Sequence, residues 1–379
     1  MTAPSSSPHS AELVVLPDHA IAGGDVHVDA AGRILSVAPG VGRPRHNGWL
    51  LPGFVDLQVN GFGGVDVATA PAEDLHRLGQ KLVATGVTSF LPTLISAPIE
   101  ILERQLARVA DALEAWPVDA ARALGIHLEG PFLNPKRRGA HAADDLSPPD
   151  IDTIEVLMAA ARGRVRLVTM APELDGAGEV IDWLVKSGVR VAIGHSEATV
   201  EEAEQAITRG ATLCTHFGNA MSSIHQRAPG IQTACLLDDR ITAGVIGDLV
   251  HVHPALLRLL VHNKGASGVA LVTDAIAATG LGEGTFSLSG VEVTVRDGVS
   301  RDAAGALAGS VLAFDEALRR FAEAVGADPT TLARTAASNA ARAIGADEDV
   351  GSLEPGRWFD AVVWRDGVDE VWIAGKRVA

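Results

Sequence analysis

Eight short apolar runs, separated by stretches with helical periodicity, constrain the fold of this chain more than any other feature. Most of the runs are rich in β-branched residues, which is typical of strands buried on both faces of a parallel sheet. The runs are Leu50–Val59, Val87–Leu91, Leu124–Leu128, Val165–Met170, Val189–Ile193, Ala211–Thr215, Ile241–Ile246 and Gly268–Thr273, and helical stretches between them include Ala72–Thr85, Ile99–Trp116 and Ala198–Arg209. Eight strands alternating with helices predict an α/β protein with a (β/α)8, TIM-like barrel. A doubly wound open sheet is the alternative, but no GxGxxG follows the first strand to favour it.

The segments on either side of the barrel predict a second, smaller domain. Short strand-like runs with Gly turns occur in residues 11–49 and again in residues 346–379. Neither segment is long enough to bury a core alone, so we expect them to form one small β-sandwich together, with residues 50–345 as the barrel. Residues 1–10 are rich in Ser and Pro and predict a flexible tail. The stretch Phe286–Val299 alternates apolar and polar residues and predicts a hairpin near the site.

Charge and composition exclude several function classes. The 379 residues contain 31 Lys and Arg against 47 Asp and Glu, a formal net charge of −16, which disfavours binding to nucleic acid or to anionic lipid. No run reaches the roughly 18 apolar residues of a membrane span. Two Cys exclude a disulfide scaffold and a thiolate zinc module. The N-terminal residues lack the features of a signal peptide, so we expect a cytoplasmic protein.

Polar and ionisable residues stand where nearly every predicted barrel strand ends. The C-terminal ends of barrel strands meet at one mouth, and catalytic residues of such barrels lie there. Ordinary loop polarity is the alternative explanation, but it does not account for so many ends at once. The residues at the eight ends are Gln58 and Asn60, Thr93, Glu129, Thr169, His195, His216, Asp248 and Asp274.

Glu129, His195 and His216 follow three different strands and form a candidate metal site. Two His and one carboxylate are a known catalytic zinc set, and three ligands leave a position for water. Each residue alone could instead be a buried structural polar group. Asp274 ends the eighth strand, where a carboxylate could take a proton from that water and hand it to a leaving nitrogen. Its alternative role is to cap the helix that follows.

Candidate anion-binding and substrate-binding residues are few. Arg227 lies in a Gly/Pro loop after the His216 strand and suits bidentate phosphate binding. The run Lys136–Arg138 follows the Glu129 strand, but at least two of its members are expected to be solvated surface residues. Of the pair His251 and His253, we favour His251 as a substrate contact, because His253 precedes Pro254 and is expected at a helix start.

These residues and their neighbours resemble the amidohydrolase superfamily and, within it, the family of N-acetylglucosamine-6-phosphate deacetylases. The resemblance extends over essentially the whole chain. The motif Leu51–Gly61 points only to the superfamily, whereas the HLEGP stretch at His127 and the THxxNAM stretch at Thr215 are specific to the deacetylases. The motifs are Leu51–Gly61, His127–Phe132, Gly194–Ser196, Thr215–Met221 and Val272–Ala275.

The resemblance implies metal-dependent hydrolysis of the acetamide of N-acetyl-D-glucosamine 6-phosphate, giving glucosamine 6-phosphate and acetate in amino-sugar catabolism. Glu129, His195 and His216 match the metal ligands, Asp274 matches the catalytic acid/base, and His141 matches a residue that polarises the amide carbonyl. The resemblance also implies a homodimer, with part of the phosphate site supplied by the neighbouring subunit. The positions that match substrate contacts are Ala140, His141, Asn219, Ala220, Arg227, His251, Leu307, Ala308 and Gly309, of which Arg227 and His251 are associated with the phosphate.

The chain departs from the superfamily pattern at the first strand. Most amidohydrolases end this strand with His-x-His and bind a second metal there, whereas this chain has Gln58-Val59-Asn60. Neutral amides are poor ligands for such an ion, so we expect one divalent metal per chain, zinc first and iron second. Phe217-Gly218 replaces the Leu-Tyr often found in these deacetylases, so packing against the sugar ring is expected to differ.

Two rival functions remain open at this point. A cyclic amidase or a deaminase is the enzymatic rival, but the cyclic amidases often carry a carbamylated Lys after strand 4, where this chain has Thr169-Met170-Ala171-Pro172. A barrel without metal that acts as an assembly protein is the non-enzymatic rival. The joint presence of the metal-ligand candidates and Asp274 argues against it.

Overall fold

The computed structural model describes residues 8–379, in which strands and helices alternate over most of the chain. The strands before the first helix are β1 (His9–Val15), β2 (Ala20–Ala22), β3 (Gly24–Val28), β4 (Ile34–Pro39), β5 (His46–Pro52), β6 (Phe54–Val59), β7 (Gly61–Phe62) and β8 (Val65–Asp66). The central elements are α1 (Ala72–Leu82), β9 (Val87–Ile95), α2 (Ile99–Glu114), β10 (Arg122–Ala123), β11 (Ile126–Glu129), α3 (Ile151–Ala160), β12 (Val165–Met170), α4 (Ala177–Lys186), β13 (Arg190–Ile193), α5 (Val200–Arg209), β14 (Leu213–Cys214), α6 (Ile231–Leu237), β15 (Thr242–Ile246), α7 (Pro254–Lys264) and β16 (Val269–Val272). The last elements are β17 (Gly284–Leu288), β18 (Val291–Arg296), β19 (Val299–Asp302), α8 (Phe314–Val325), α9 (Pro329–Ala333), a π-helical turn (Arg334–Ser338), α10 (Asn339–Ala343), β20 (Ala361–Trp364), β21 (Val368–Ile373) and β22 (Lys376–Arg377).

Eight parallel strands form a nearly closed barrel in the order β6, β9, β11, β12, β13, β14, β15, β16. Strands β16 and β6 meet through a parallel bridge between Val59 and Ala275. The buried Asp56 carboxylate reinforces this seam by accepting hydrogen bonds from the Thr273 backbone N–H and hydroxyl. The predicted (β/α)8 barrel is therefore confirmed.

The first predicted strand is two strands in the structure. Gly53 separates β5 from β6, and its N–H donates to the carbonyl of Asp360, 2.8 Å away, just before β20 of the peripheral sheet. A Cβ atom at this position would lie 2.2 Å from the Thr88 hydroxyl oxygen, so only glycine fits. The other seven runs match single barrel strands.

The helices lie outside the barrel and bury an apolar stripe against it. In α1 the buried residues include Leu75, Leu78 and Leu82, which repeat at helical spacing. Helix α5 begins with a capping box, in which the Thr199 hydroxyl and the Glu202 carboxylate satisfy backbone N–H groups reciprocally. These helices cover the outer side of the barrel strands and leave the mouth free for function.

Strands from both ends of the chain form one eight-stranded peripheral sheet. Its order is β22, β21, β20, β5, β1, β3, β4, with β2 paired to β1. The first residues of β1 pair with β3 and its last residues pair with β2 and β5, so β1 joins the two halves of the sheet around one apolar core. The division into residues 11–49 with 346–379 and residues 50–345 remains a prediction. The predicted tail, residues 1–10, lies outside the described residues as far as residue 7, and His9 and Ser10 belong to β1.

A three-stranded antiparallel insert, β17–β19, follows the barrel, where the sequence predicts a hairpin. The turn at Ser289 and Gly290 joins β17 to β18. The Ser289 N–H donates to the buried Asp66 carboxylate, 2.7 Å away, which ties the tip of the insert to β8. Leu288 at the end of β17 lines the cavity described below. Among residues 8–379, no helix is both long and apolar enough to cross a bilayer.

Candidate active site

Four ionisable side chains from different strands meet at the C-terminal mouth of the barrel. Glu129 ends β11, while His195, His216 and Asp274 each lie two residues beyond the end of β13, β14 and β16. The last three have positive φ angles of 49°, 29° and 52°. This region is disfavoured for residues with a Cβ, and such strain is typical of functional sites. The backbone therefore turns each side chain into the mouth instead of continuing the strand.

The side chains of Glu129, His195 and His216 form a triangle of close contacts. Glu129 Oε1 lies 3.2 Å from His195 Nε2 and 3.0 Å from His216 Nε2, and the two Nε2 atoms are 3.0 Å apart. All three side chains are at most 5% exposed. A tetrahedral ion with bonds of about 2.1 Å places its ligand atoms about 3.4 Å apart, so this spacing fits a metal site.

The hydrogen bonds around the triangle support the same interpretation. His195 Nδ1 lies 2.8 Å from the Arg137 carbonyl oxygen, which can only accept, so Nδ1 carries the proton. In the neutral ring Nε2 then presents a lone pair to Glu129. The one remaining proton, on His216, can serve only one of the three contacts, whereas a cation serves all of them. The donor set therefore fits a divalent ion.

The electrostatics of the triangle favour positive charge. Burial alone would lower the pKa of His216, but the adjacent Glu129 carboxylate outweighs burial and raises it. Burial alone would raise the pKa of Glu129, but its contacts with His195 and His216 hold that pKa well below its usual value. A cluster that stabilises an extra proton in this way also stabilises a metal ion in its place.

His141 lies beside the triangle and shares in a second grouping of ligand atoms. Atoms of Glu129, His141 and His195 lie within 4.8 Å of one another. However, the Ser96 backbone N–H donates to His141 Nδ1 at 3.2 Å, and the Ser96 hydroxyl lies 2.8 Å from the same atom. Nδ1 is therefore an acceptor and the proton is on Nε2, 3.8 Å from Glu129 Oε2. Burial lowers the pKa of His141 to about 3, so the ring is a neutral hydrogen-bond donor at the site.

Two amides at the C-terminal end of strand β6 hold the two carboxylates of the site. Gln58 Nε2 donates to both Glu129 oxygens at 3.1 Å, and Asn60 Nδ2 donates to Asp274 Oδ1 at 2.7 Å. Burial and the charge of Glu129 raise the pKa of Asp274 to about 7, which suits a group that must both accept and release a proton near neutral pH.

A buried polar network lies beneath the site. His127 Nε2 contacts the Thr169 hydroxyl at 2.8 Å, and this hydroxyl contacts the Thr215 hydroxyl at 2.6 Å. Thr169 occupies the end of the fourth barrel strand, where cyclic amidases often carry a Lys. Its hydroxyl is engaged with its neighbours and supports the strands that carry Glu129 and His216.

The four side chains open into a cavity of about 280 Å³. Ala308 does not line it; it is fully buried in an apolar cluster beneath the insert. Among the described residues that line the cavity there is no Lys or Arg. The lining residues are Asn60, Ile95, Glu129, Gly139, Ala140, His141, His195, His216, Asn219, Ala220, Ile246, His251, Asp274, Leu288, Ala306, Leu307 and Gly309.

The two histidines of the His251-Val252-His253 segment have different surroundings, as predicted. His251 lines the cavity, and its Nδ1 lies 2.7 Å from the Asp248 carboxylate. His253 is the N-cap of α7, where its Nδ1 accepts a hydrogen bond from the Ala255 N–H. Only His251 is therefore available to a bound substrate.

The predicted basic residues do not reach this cavity within one chain. Arg227 is exposed in the loop between β14 and α6. Arg137 forms an ion pair with Glu197, and Arg138 donates to the His141 carbonyl oxygen at 2.7 Å. Lys136 is exposed. Arg227 therefore does not line the cavity of its own chain.

A family model described as the amidohydrolase family matches residues 49–378. The chain belongs to the amidohydrolase family. A relative from Bos taurus named N-acetylglucosamine-6-phosphate deacetylase is 38% identical over 345 residues, covering 87% of this chain and 83% of the relative. A relative from Escherichia coli O157:H7 named N-acetylgalactosamine-6-phosphate deacetylase is 36% identical over 329 residues, covering 86% and 87%.

Solved structures agree with this assignment. The N-acetyl-D-glucosamine-6-phosphate deacetylase of Mycobacterium smegmatis matches with a TM-score of 0.92 and 34% identity, over 99% of this chain and 100% of that one. The Thermotoga maritima N-acetylglucosamine-6-phosphate deacetylase matches with a TM-score of 0.89 and 33% identity, over 97% and 98%. The resemblance stated from the sequence, to the amidohydrolases and to their N-acetylglucosamine-6-phosphate deacetylases, is thereby confirmed.

Sequence reasoning missed several functional contacts of this amidohydrolase. It identified Gln58 and Asn60 as polar strand-end residues and as poor metal ligands, but not as the groups that hold the two carboxylates of the site. It did not identify Ser96, which fixes the tautomer of His141, and it named Asp248 as a strand-end residue without its contact to His251. Three polar residues of the strand-end pattern, Gln58, Asn60 and Asp248, stand within hydrogen-bond distance of a site residue, so that pattern was the available signal.

Proposed function

We propose that the chain hydrolyses the acetamide of N-acetyl-D-glucosamine 6-phosphate to D-glucosamine 6-phosphate and acetate, as a step in amino-sugar catabolism. The observation that carries the proposal is the convergence of the Glu129, His195 and His216 ligand atoms to within 3.2 Å, with Asp274 at the same barrel mouth. Relatives that are 34–38% identical bear the corresponding deacetylase names, which supports this substrate.

Glu129, His195 and His216 would hold one divalent ion, with zinc the first choice and iron the second. When bound there, such an ion acidifies water and polarises a carbonyl group. The proton on His141 Nε2 supports this ligand set over the grouping that includes His141, because a protonated nitrogen has no lone pair to offer a metal. Gln58 and Asn60 are amides and offer no second site of comparable strength.

Asp274 carries the proton of the reaction. It accepts a proton from the attacking water, whose oxygen bonds to the carbonyl carbon of the acetamide. Asp274 then delivers this proton to the lone pair of the nitrogen, and the C–N bond breaks with its electron pair remaining on the nitrogen, which leaves as a neutral amine. A pKa raised to about 7 by burial and by Glu129 lets one carboxyl group perform both transfers near neutral pH.

His141 stabilises the oxygen of the acetamide as negative charge develops on it. Its Nε2–H faces the cavity, because Ser96 engages Nδ1. A neutral donor held in place by the protein needs no reorganisation during the reaction, which is the basis of oxyanion stabilisation.

The remaining substrate contacts come from loops around the cavity. We propose that backbone and side-chain groups of these loops bind the sugar ring, with His251 next to the phosphate. Ala308 would contribute through its backbone, because its side chain is buried away from the cavity. The proposed contact residues are Ala140, His141, Asn219, Ala220, Arg227, His251, Leu307, Ala308 and Gly309.

Arg227 would complete the phosphate site of a neighbouring subunit in a homodimer. A dianionic group bound in a cavity without Lys or Arg needs a cation from elsewhere. Arg227 is exposed on the loop before α6 and is free to project from its own chain. The guanidinium fork suits bidentate contact with phosphate oxygens.

N-acetyl-D-galactosamine 6-phosphate is a second candidate substrate. The relative from Escherichia coli O157:H7 bears the name of the corresponding deacetylase. The two sugars carry the same acetamide and phosphate and differ only in the configuration of one hydroxyl group. We propose the cytoplasm as the place of action, because sugar phosphates are dianions that do not cross a bilayer unaided.

Acetate release tests the proposal. The protein should release acetate from N-acetyl-D-glucosamine 6-phosphate far faster than from N-acetyl-D-glucosamine, and the 4-epimeric phosphate measured in parallel ranks the second candidate. Absence of acetate release from both phosphorylated sugars, with metal-loaded protein, would contradict the proposed function.

A further inference from the structure

Asn60 lines the cavity, and its side chain carries a hydrogen-bond acceptor without a partner in residues 8–379. Asn60 is 2% exposed and lines the cavity, and its Oδ1 atom is buried without a hydrogen-bond partner among the described residues. A buried polar atom without a partner costs free energy, so such atoms in native proteins commonly await a ligand or water. Oδ1 can only accept, so its partner must be a donor.

The orientation of the Asn60 amide is determined by its neighbours. Its Nδ2 donates to Asp274 Oδ1 at 2.7 Å. When Asp274 is ionised, as it must be to accept a proton from water, a flipped amide would set two oxygens against each other there. The Asn60 backbone is fixed as well, because its N–H donates to the Ala275 carbonyl and its carbonyl accepts from the Val67 N–H. Oδ1 is therefore held beside Asp274 by a rigid segment at the barrel seam.

The substrate donor that must approach this point is the acetamide N–H. Under the proposed function, Asp274 passes its proton to the acetamide nitrogen, so this nitrogen comes within hydrogen-bond distance of Asp274. Asn60 donates a hydrogen bond to Asp274 from Nδ2, and Oδ1 belongs to the same planar amide group. A nitrogen that meets Asp274 is thereby brought next to Asn60 Oδ1.

We infer that Asn60 is a further catalytic residue, whose Oδ1 accepts a hydrogen bond from the nitrogen of the scissile amide. This inference rests on the proposed function. In the bound substrate Oδ1 binds the single N–H of the acetamide. After water has added to the carbonyl carbon, Asp274 gives its proton to the lone pair of the nitrogen before the C–N bond breaks. The nitrogen then carries positive charge, and its hydrogen bond to Oδ1 strengthens. Asn60 therefore favours the transition state over the bound substrate.

The inference has a consequence for specificity. A site with a buried acceptor rejects an analogue that lacks the matching donor, because the acceptor is then left unpaired. The enzyme should therefore require an N–H on the leaving atom of the scissile bond. The 2-O-acetyl ester of glucose 6-phosphate keeps the acyl group, the phosphate and the other hydroxyls but has oxygen in place of N–H.

Asn60→Leu, measured on the amide and on the ester, tests the inference. In Asn60→Leu the hydrogen bond to the nitrogen that becomes charged is lost. The value of kcat/KM for the amide should therefore fall ~10- to 100-fold more than kcat/KM for the ester. The ratio of the two rates in one preparation is independent of the fraction of folded enzyme. Asn60→Asp keeps an acceptor at Oδ1 and loses the donor to Asp274, so it should lower both rates and leave the ratio close to that of the native enzyme. Asn47→Ala, on the exposed side of β5, serves as the matched control with both rates unchanged.

Equal losses on both compounds in Asn60→Leu would overturn the inference and leave Asn60 as a residue that only positions Asp274. The same result would follow if Oδ1 binds a sugar hydroxyl, because the ester retains those groups. A native enzyme that releases no acetate from either compound would overturn the proposed function, and this inference with it.

Discussion

Replacement of His141 by Leu separates the two roles that its position permits, oxyanion donor and metal ligand. His141 is 3% exposed, its Nδ1 accepts from Ser96, and its Nε2–H faces the reaction centre. Loss of one preorganised donor to a developing oxyanion lowers kcat by ~10²–10³-fold, or about 2.7–4 kcal/mol. Because burial lowers the pKa of His141 to about 3, the ring stays neutral across the working range. Its removal should lower kcat equally at pH 6 and pH 9.

The assay combines steady-state kinetics with metal analysis of the same preparation. His141→Leu should lose kcat, keep KM within a few-fold and keep its metal. His216→Leu should lose the metal, because His216 Nε2 belongs to the close triangle of ligand atoms. Ser96→Ala should show a smaller loss of kcat, because it frees the His141 tautomer without deleting the ring. Loss of metal in His141→Leu, with metal retained in His216→Leu, would refute the reasoning and assign His141 to the ligand set.

Three further predictions concern proton transfer, phosphate binding and acid stability. Asp274→Asn removes the proton carrier and should lower kcat ~10²–10⁴-fold with metal content unchanged; near-normal turnover would exclude the assigned role. Arg227→Ala should lower kcat/KM roughly 10- to 150-fold for the phosphorylated sugar and far less for the unphosphorylated one. Mixed dimers of the Arg227→Ala and Asp274→Asn chains should regain activity if the contact crosses subunits, and equal losses on both sugars would dismiss the phosphate assignment. Burial, together with the charge of His46, lowers the pKa of His9 from 6.5 to about 4 in the folded protein. The free energy of unfolding should therefore decrease as the pH falls from about 6.5 through 4, because the unfolded chain binds the proton more readily. The loss is on the order of 3 kcal/mol, and His9→Phe should remove that part of the pH dependence in urea unfolding; an unchanged pH dependence would refute it.

The barrel was predictable because its strands leave a strong local signal. Val165–Met170 coincides with β12 residue for residue, and the other buried runs locate their strands to within a few residues. Gly53 shows where local signal fails: the apolar run Leu50–Val59 continues through it, but the chain changes sheets there. The cause is a long-range contact with Asp360 and the close approach of Thr88, which no local pattern records.

The candidate site was predictable in its ionisable residues and not in their supporting contacts. Glu129 and Asp274 stand out as carboxylates at strand ends. Gln58 holds Glu129 and Asn60 holds Asp274 because of the order and register of the strands around the barrel. A sequence pattern does not show, for example, that β6 meets β16 at the barrel seam. Likewise, burial of the Ala308 side chain away from the cavity depends on how the insert packs over the barrel.

Metal content and activity measured together test the central claim most directly. The purified chain should contain about one tightly bound divalent ion. Acetate release from N-acetyl-D-glucosamine 6-phosphate should fall to zero in proportion to the ion removed by a chelator, and one equivalent of zinc or iron should restore it. Two equivalents of metal that resist dialysis would contradict the single-metal site at Glu129, His195 and His216. Full activity after complete removal of metal would contradict the account as a whole.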